Sequence, residues 1–298
     1  MEDIEQLRQV LQRLESAVAG PQVKAWLLQI TDPTYGLVST LLDTFLANLN
    51  AFDLASALLT ILRQLNFHVT DQVLPQLRAS PTFAPAIVRY LTEIPADKVS
   101  EEAFVLITAV FDSSNSQALD TPQVVKAIFD ALEYLQGKET VKALVNILAG
   151  ISKRSSDSSA NLVLQQCKEH VNARFFKEIL LYQVNRSDPG DMLNCMTCCA
   201  DMLREESASS HFFYSNDLTV LADMMFHNLE NMQDCETVRK TLEVFSALYR
   251  CTELQTTKYR LDDLASLLKV ILPSDSYSEG TKQAAAMLTA DLSLDTTS

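Results

Sequence analysis

The chain has 298 residues, of which 47% are hydrophobic, and its 38 acidic and 24 basic residues give a formal net charge of -14 at pH 7. Nucleic acids and anionic membranes bind through clustered Lys and Arg, so this charge balance argues against both and favours a protein partner with a basic surface. The 6 Gly and 9 Pro are too few for strands joined by tight turns, so helices are favoured.

The first predicted element is an amphipathic helix that ends at Gly20-Pro21. The pattern covers only about two heptads, so we expect a terminal helix that packs over the first repeat, with a dimerising coiled coil as the alternative. Neither a secretory signal nor a run of about 18 apolar residues is present, so we expect no membrane insertion and a cytoplasmic location. The helix is defined by apolar residues at spacings of three and four: Ile4, Leu7, Leu11, Leu14 and Val18.

Apolar helical segments then alternate with polar breaks, several of which place Pro next to a Thr or Asp that can cap the next helix. Three such breaks begin at Thr31, Asp120 and Asp188. No convincing strand interrupts the series, so it predicts a helical protein. The predicted helices before residue 180 cover 26–30, 37–49, 54–65, 73–77, 86–91, 104–111, 124–135, 141–151 and 162–171.

One kind of helix recurs, in which small residues are interleaved with large apolar ones. Its successive copies begin 40 to 49 residues apart, at or slightly beyond the period of armadillo and HEAT arrays. We therefore predict an all-α, armadillo/HEAT-like helical solenoid as a single domain over residues 1–290, with residues 291–298 as a flexible tail. A compact helical bundle is the alternative. The copies begin at Ala57, Ala103, Ala143, Met192, Thr241 and Ala284.

The groups that could support catalysis are few. Cys195, Cys198 and Cys199 form a CxxCC cluster, but no second ligand pair follows at the distance that a zinc site requires. On a helix these cysteines and Met202 share one apolar face, which predicts core packing. The four His residues form no nucleophilic triad, and there is no glycine-rich phosphate loop. We therefore expect no enzyme activity, no cofactor and no metal.

Residues 195–268 are the most informative part of the sequence, and they predict three successive helices from Phe212 onward. Asn216 or Asp217 is a natural N-cap for the first, because a short side-chain oxygen can accept the amide hydrogens of the first turn. Asp262 and Asp263 sit where acidic side chains favour the start of the third helix. The polar residues near these boundaries are therefore structural or functional candidates.

The same stretch resembles a known family. The matching residues are the string 213–218 (FYSNDL), then Val220-Leu221, Arg239, Leu242, Leu248, Thr252, Tyr259-Arg260 and Asp262. In these positions the chain is similar to the leucine-rich domain of the Dip/Ldb/SPIN family of actin regulators, which in animals includes the Nck-interacting protein with an SH3 domain. Animal relatives carry an SH3 domain and proline-rich segments that are not visible here, so this is either a short form or an excised domain.

The resemblance implies a function that composition alone does not. It implies an armadillo-type domain that binds the actin-related protein 2/3 complex and activates it without a pre-existing filament, acting on filament ends only through that complex. We expect a monomer located at the cortical actin cytoskeleton. The alternative is a generic armadillo-like adaptor with an unrelated protein partner. The residues to which the resemblance assigns partner contact are Tyr214, Asn216, Asp217, Arg239, Tyr259, Arg260 and Asp262.

Overall fold

The computed structural model describes residues 27–49, 51–94, 98–112, 114–155, 160–205, 212–231, 235–250 and 252–293. These residues form helices and connecting turns and contain no strand, which confirms the predicted all-α class. The predicted N-terminal helix, and most of the predicted tail, lie outside the described residues. Two compact units divide the chain at residue 147, so the single domain predicted over residues 1–290 stays a prediction.

Among the described residues, the first unit contains six complete helices and the start of a seventh. The recurrent segments that begin at Ala57 and Ala103 lie in α2 and α5, and these two helices pack directly against each other. Arg63 and Glu102 join them across an ion pair of 3.2 Å. The helices are α1 (Leu37–Ala47), α2 (Phe52–His68), α3 (Thr70–Ala79), α4 (Phe83–Glu93), α5 (Glu101–Val110), α6 (Pro122–Ala131) and α7 (Lys138–Arg154).

Two of the predicted breaks begin helices through the expected side-chain caps. The Asp32 carboxylate accepts the backbone N–H of Thr34, and a short 3-10 turn, Pro33–Tyr35, follows. The Thr121 hydroxyl accepts the N–H of Val124, and Pro122 is the first residue of α6. Both arrangements satisfy amide hydrogens that the first helical turn leaves without an internal partner.

In the second unit, as in the first, the recurrent small-residue helices pack directly against one another. Its inner helices α10, α12 and α15 contain the recurrent segments that begin at Met192, Thr241 and Ala284, and each packs against the next. This stacking of one small-residue helix per repeat confirms the armadillo/HEAT-like solenoid class within each unit. The helices are α8 (Leu162–Glu169), α9 (Ala173–Arg186), α10 (Pro189–Arg204), α11 (Ser215–Asn231), α12 (Cys235–Arg250), α13 (Thr252–Thr257), α14 (Leu261–Ile271) and α15 (Glu279–Asp291).

Helix α9 was not among the predicted elements, although it packs against α8, α10 and α11. Its sequence mixes basic and aromatic residues on the exposed side, so the apolar stripe is less clear than in its neighbours. The stripe nevertheless exists, because Phe176, Leu180 and Val184 are buried at helical spacing. This helix supplies a lysine to the site described below.

Candidate functional site

The seven residues singled out from the sequence lie in three places within the second unit. Tyr214, Asn216 and Asp217 lie at the start of α11, and Arg239 lies on α12. Tyr259, Arg260 and Asp262 form the corner at which α14 begins. The hydrogen bonds and ion pairs of each group run to different neighbours, so the structure does not bring these residues into one contiguous cluster.

At the start of α11, Asp217 binds a buried lysine. The Lys177 ammonium on α9 donates to the Asp217 carboxylate across 2.6 Å, and its side chain is only 4% exposed. The same carboxylate accepts the backbone N–H of Tyr214 at 2.9 Å. A buried ammonium is stable only when it is paired, so Asp217 holds α11 on α9. We call Lys177, Asp217 and Tyr214 the α9–α11 clasp.

The predicted N-cap at Asn216 or Asp217 is wrong by about half a turn. Helix α11 begins at Ser215, so both residues lie inside its first turn. Asp217 instead reaches back to the N–H of Tyr214, three residues earlier, which is the acceptor half of a capping box. Asn216 is exposed, and the Tyr214 ring, about half exposed, lies 4.4 Å from the Lys177 ammonium and 5.2 Å from the Arg174 guanidinium carbon.

Arg260 joins α14 to α11. Its Nη1 donates to Asp223 at 3.0 Å, and its Nε donates to Asp263 at 2.8 Å. The guanidinium carbon also lies 3.9 Å from the centroid of the buried Phe226 ring, in cation–π geometry. These hydrogen bonds raise the pKa of Arg260, the bond to Asp263 contributing most, so the side chain stays charged.

Tyr259 completes this second arrangement. Its hydroxyl donates to the Asp223 carboxylate at 3.0 Å, and that bond raises the Tyr259 pKa. Its backbone carbonyl accepts the hydroxyl of Tyr249, from α12, at 2.5 Å. Tyr259 and Arg260 therefore connect α11, α12 and α14. We call Asp223, Phe226, Tyr259 and Arg260 the α11–α14 clasp.

The backbone of this corner is unusual. Lys258 and Arg260 both adopt φ of 50°, in the left-handed region that residues with a Cβ rarely occupy. Asp262 and Asp263 occupy the first turn of α14, as predicted, where negative charge is favourable. Asp262 is exposed to solvent.

Arg239 lies in a different setting, on an open groove of about 390 Å³. The groove is formed by α10, α12 and α15, which are the stacked inner helices of the second unit. Leu242 and Leu288 lie in its floor, and the side chain of Met287 is 61% exposed within it. Arg204 and Arg250 also line it.

The spacing of four polar residues along α12 places them together on the side of the helix that faces the groove. Arg239, Glu243, Ser246 and Arg250 are separated by four, three and four residues, which places them on one side of the helix. Arg239 donates to Glu243 at 2.7 Å. At the other end, Ser246 and Arg250 both donate to Asp291 of α15, at 3.0 and 3.1 Å. Charged side chains therefore form one side of the groove, above the buried Leu242 and Leu288.

The cysteine cluster has no such exposure. Cys195, Cys198 and Cys199 are fully buried, as the predicted core packing requires. Burial raises the pKa of the Cys198 thiol to about 12, and those of Cys195 and Cys199 are raised well above their ordinary value. A thiol held protonated in the core is a poor nucleophile and a poor metal ligand. Among the described residues, no group of His, Cys, Asp and Glu is arranged to hold a metal ion.

Comparison with known proteins identifies the family. The family model of the SPIN90/Ldb17 leucine-rich domain matches residues 102–264, which is more than half of the chain. The chain belongs to this family. All seven candidate residues and both clasps lie within the match. The match begins well before residue 195, so the leucine-rich domain includes helices that the sequence comparison over 195–268 did not cover.

Two curated relatives carry the family name. Protein LDB17 of Saccharomyces cerevisiae is 40% identical over 111 residues, which are 35% of this chain and 22% of that protein. Protein LDB17 of Eremothecium gossypii is 29% identical over 137 residues, 44% of this chain and 30% of that protein. The matched region thus accounts for less than a third of either relative. The family is of scaffold type rather than a known enzyme family.

No helix among the described residues is long and apolar enough to cross a bilayer. Several structural partners of the candidate residues were missed by sequence reasoning. Lys177, Asp223 and Phe226 lie 34 to 40 residues away in sequence from the candidate residues that they contact. Arg204 and Arg250 at the groove carried no motif at all.

Proposed function

We propose that this chain binds the actin-related protein 2/3 complex and activates it without a pre-existing filament, so that linear actin filaments are seeded. The observation that carries the proposal is the family match over residues 102–264. Family membership supports an actin-related role. Activation of the actin-related protein 2/3 complex is a more specific role, and it rests on the resemblance of residues 213–262 to actin regulators.

The mechanism that suits a helical stack is selective binding. A ligand shifts a conformational equilibrium only through its different affinities for the two states, so the chain must bind the active shape of the complex more tightly than the inactive one. A stack of packed helices presents a wide, stiff surface for this purpose. In this proposal the chain acts as a monomer, without cofactor or catalysis, and reaches filament ends only through the complex.

The two clasps support such a role by fixing surfaces rather than by making the contact. Lys177 is buried and Asp217 is engaged by it, so this pair is committed to holding α11 in place. Arg260 is likewise held by Asp223 and Asp263. Arg239 on the open groove, with Tyr214, Asn216 and Asp262, retains exposed surface for a partner. The location in the proposal is the cortical actin cytoskeleton, with a role in endocytosis.

The decisive experiment is fluorescence-monitored actin assembly with this chain and the purified actin-related protein 2/3 complex, without filament seeds or another activator. We expect a shortened lag that requires both components, and unbranched filaments in single-filament images. If the chain neither shortens the lag nor binds the complex in a pull-down, the proposal is wrong. The generic adaptor, the alternative expected from the sequence, would then be pursued by identifying its partner.

A further inference from the structure

Exposed apolar side chains gather around α9. Of the ten large hydrophobic side chains that are exposed among the described residues, four lie on α9 or beside it, and the other six each lie on a different element. Single exposed apolar residues are normal on a protein surface, whereas a cluster of them indicates an interaction site. The four are Val171 in the turn before α9 (84% exposed), Phe175 (36%) and Tyr182 (47%) on the helix, and Tyr214 (51%) just before α11.

The spacing along α9 places its two exposed aromatic residues on one face. Phe175 and Tyr182 are seven residues apart, which is close to two full helical turns, so they lie on the same side of the helix. The side that packs against the neighbouring helices is a different one, because it carries the buried Phe176, Leu180 and Val184. Helix α9 therefore buries one apolar stripe and exposes a second.

An arginine of α9 joins the fourth exposed residue to this face. The guanidinium carbon of Arg174 lies 5.2 Å from the centroid of the Tyr214 ring, and Arg174 is exposed and directly precedes Phe175. Tyr214 is also one of the seven residues to which the resemblance to actin regulators assigns partner contact. The exposed face of α9 is thus continuous with a candidate contact residue.

The arginines of this face have no carboxylate of their own. Arg174 and Arg186 are exposed, and neither forms an ion pair or a hydrogen bond with another described residue, unlike Arg239, which is paired with Glu243. They lie twelve residues apart, or roughly 18 Å along the helix, and the exposed Glu178 lies between them. An unpaired guanidinium keeps its N–H donors for the carboxylates of a partner.

We infer that the chain binds the actin-related protein 2/3 complex through this surface, against an apolar patch that has carboxylates at its two ends. The inference rests on the proposed function and names the surface that carries it out. Aromatic and Arg side chains dominate the energetics of protein interfaces, and the charges add specificity for the partner. The groove that contains Arg239 is formed by other helices, so variants separate the two surfaces. The α9 face comprises Val171, Arg174, Phe175, Tyr182, Arg186 and Tyr214.

Two substitutions test the apolar and the charged part of the α9 face separately. Phe175→Ala removes a ring, and Arg186→Glu reverses a charge at an exposed position. The matched controls lie in the first unit. Phe67→Ala removes a ring that is 77% exposed on α2, and Lys138→Glu reverses an exposed charge at the start of α7 that also has no ion pair with a described residue. Arg186→Lys keeps the charge and should retain most of the affinity.

Affinity is measured by depletion of the purified actin-related protein 2/3 complex from solution by the immobilised full chain. We expect Phe175→Ala and Arg186→Glu each to weaken binding by about tenfold, and both controls to change it by less than about twofold. Circular dichroism under the same conditions shows whether each variant is folded. If Phe175→Ala unfolds, Arg186→Glu decides, because an exposed, unpaired charge contributes little to stability.

A photo-cross-linker locates the contact directly. In one preparation p-benzoylphenylalanine replaces Val171, whose exposed side chain has little packing to lose, and in a second it replaces Phe67. We expect illumination to give a covalent adduct with a subunit of the complex from position 171 and none from position 67.

Three outcomes would overturn the inference: unaltered binding in both α9 variants, equal losses in the two first-unit controls, or no adduct from position 171. The proposed function would still stand in each case, provided that the unmodified chain binds the complex and shortens the lag of actin assembly. If the unmodified chain does not bind the complex, the proposed function itself is wrong and the inference fails with it. The unmodified chain therefore distinguishes the two failures.

Discussion

Arg260 places its guanidinium carbon 3.9 Å from the centroid of the Phe226 ring while its backbone occupies the left-handed region, with φ of 50° and ψ of 29°. The unusual backbone and the buried aromatic contact belong together. The left-handed residue turns the chain sharply into α14, and the side chain is fixed over α11 by Asp223 and Asp263. Strain of this kind persists only where the surrounding contacts outweigh it.

Removing the Arg260 charge should therefore destabilise the second unit. In Arg260→Met the cation–π contact and the ion pairs with Asp223, Glu230 and Asp263 are lost, but much of the apolar stem remains. We expect the free energy of unfolding to fall by about 1 to 2 kcal/mol, most of it from the aromatic contact, because solvent screens the partly exposed ion pairs. Urea unfolding monitored by circular dichroism measures the change. An unaltered midpoint would show that the α11–α14 clasp is not stabilising.

Lys258 allows the backbone effect to be isolated. It is exposed and also adopts φ of 50°, a conformation that glycine occupies without the clash of a Cβ. We expect Lys258→Gly to be more stable than Lys258→Ala by about 1 kcal/mol, the reverse of the usual order in helices. Both variants lose the same charge, so only the backbone preference separates them.

The control for this comparison is Glu178, an exposed residue in the interior of α9. There Glu178→Gly should be less stable than Glu178→Ala by about 1 kcal/mol. Thermal unfolding of the four variants under one condition tests both orders. If Ala is preferred to Gly at Lys258 as it is at Glu178, the left-handed corner is wrong.

The fold and these corners were predictable to different degrees. The small-residue helices at Met192, Thr241 and Ala284 could be recognised because burial against two neighbours constrains every turn of the helix. The corner at Lys258 and Arg260 could not, because a left-handed turn is normally signalled by Gly or Asn, and neither stands at these positions. The local sequence does not indicate the contacts with α11 that stabilise this corner.

The site shows the same contrast. The resemblance identified Asp217 and Arg260, but it could not say that one holds Lys177 and the other holds Asp223, since both partners lie on helices distant in sequence. The N-cap prediction failed at Asn216 for a local reason. A carboxylate three residues into the helix satisfied the N–H of Tyr214, which moved the helix start to Ser215.

Removing either partner of the buried ion pair in the α9–α11 clasp should lower stability, but by unequal amounts. Asp217→Ala leaves the Lys177 ammonium buried without its carboxylate, so we expect a loss of about 3 kcal/mol. Lys177→Met replaces the ammonium with an apolar group of similar length and leaves Asp217, which is closer to solvent, able to hydrate. It should cost less than half as much. Urea unfolding of both variants measures the difference.

The double variant Lys177→Met with Asp217→Asn is the internal control for that comparison. It removes both charges while Asn can still accept the N–H of Tyr214. We expect it to be more stable than Asp217→Ala alone, because no unpaired charge remains in the interior. A double variant that is the least stable of the three would contradict this account.

Asp201 on α10 should make stability depend on pH. Burial raises its pKa, although the neighbouring Arg204 opposes the shift. The folded state therefore holds the proton more tightly than the unfolded state, and stability falls as the pH rises from the ordinary value of 3.8 through the raised one. Asp201→Asn should increase the free energy of unfolding at pH 7, by on the order of 1 kcal/mol or less.

The stabilisation by Asp201→Asn should become smaller below pH 3.8, the ordinary pKa, because the Asp201 carboxyl is then protonated in both the folded and the unfolded state. Glu93 is a control of opposite sign, since its hydrogen bond from Arg89 lowers its pKa. Glu93→Gln should therefore reduce stability at pH 7, and its effect should also fade in acid. Chemical unfolding at pH 7 and near pH 3 checks both. A destabilised Asp201→Asn at pH 7 would mean that the ion pair with Arg204 outweighs burial.

Arg239 of the groove and Arg260 of the α11–α14 clasp should affect different properties of the protein. Arg239 lines an open surface, and its ion pair among the described residues is with Glu243 of its own helix, so Arg239→Gln should change the midpoint of thermal unfolding little. If the groove is the surface that engages the partner, this variant should weaken binding to the actin-related protein 2/3 complex by about tenfold. Arg260→Met should show the opposite profile: lower stability, and near-normal binding at a temperature at which it is folded. The matched control Arg89→Gln removes an equivalent exposed pair in the first unit, so it should change the unfolding midpoint as little as Arg239→Gln does and leave binding unchanged. Equal loss of binding in Arg239→Gln and Arg89→Gln would show that the effect is general electrostatics, and normal binding in Arg239→Gln would show that the contact lies outside the groove.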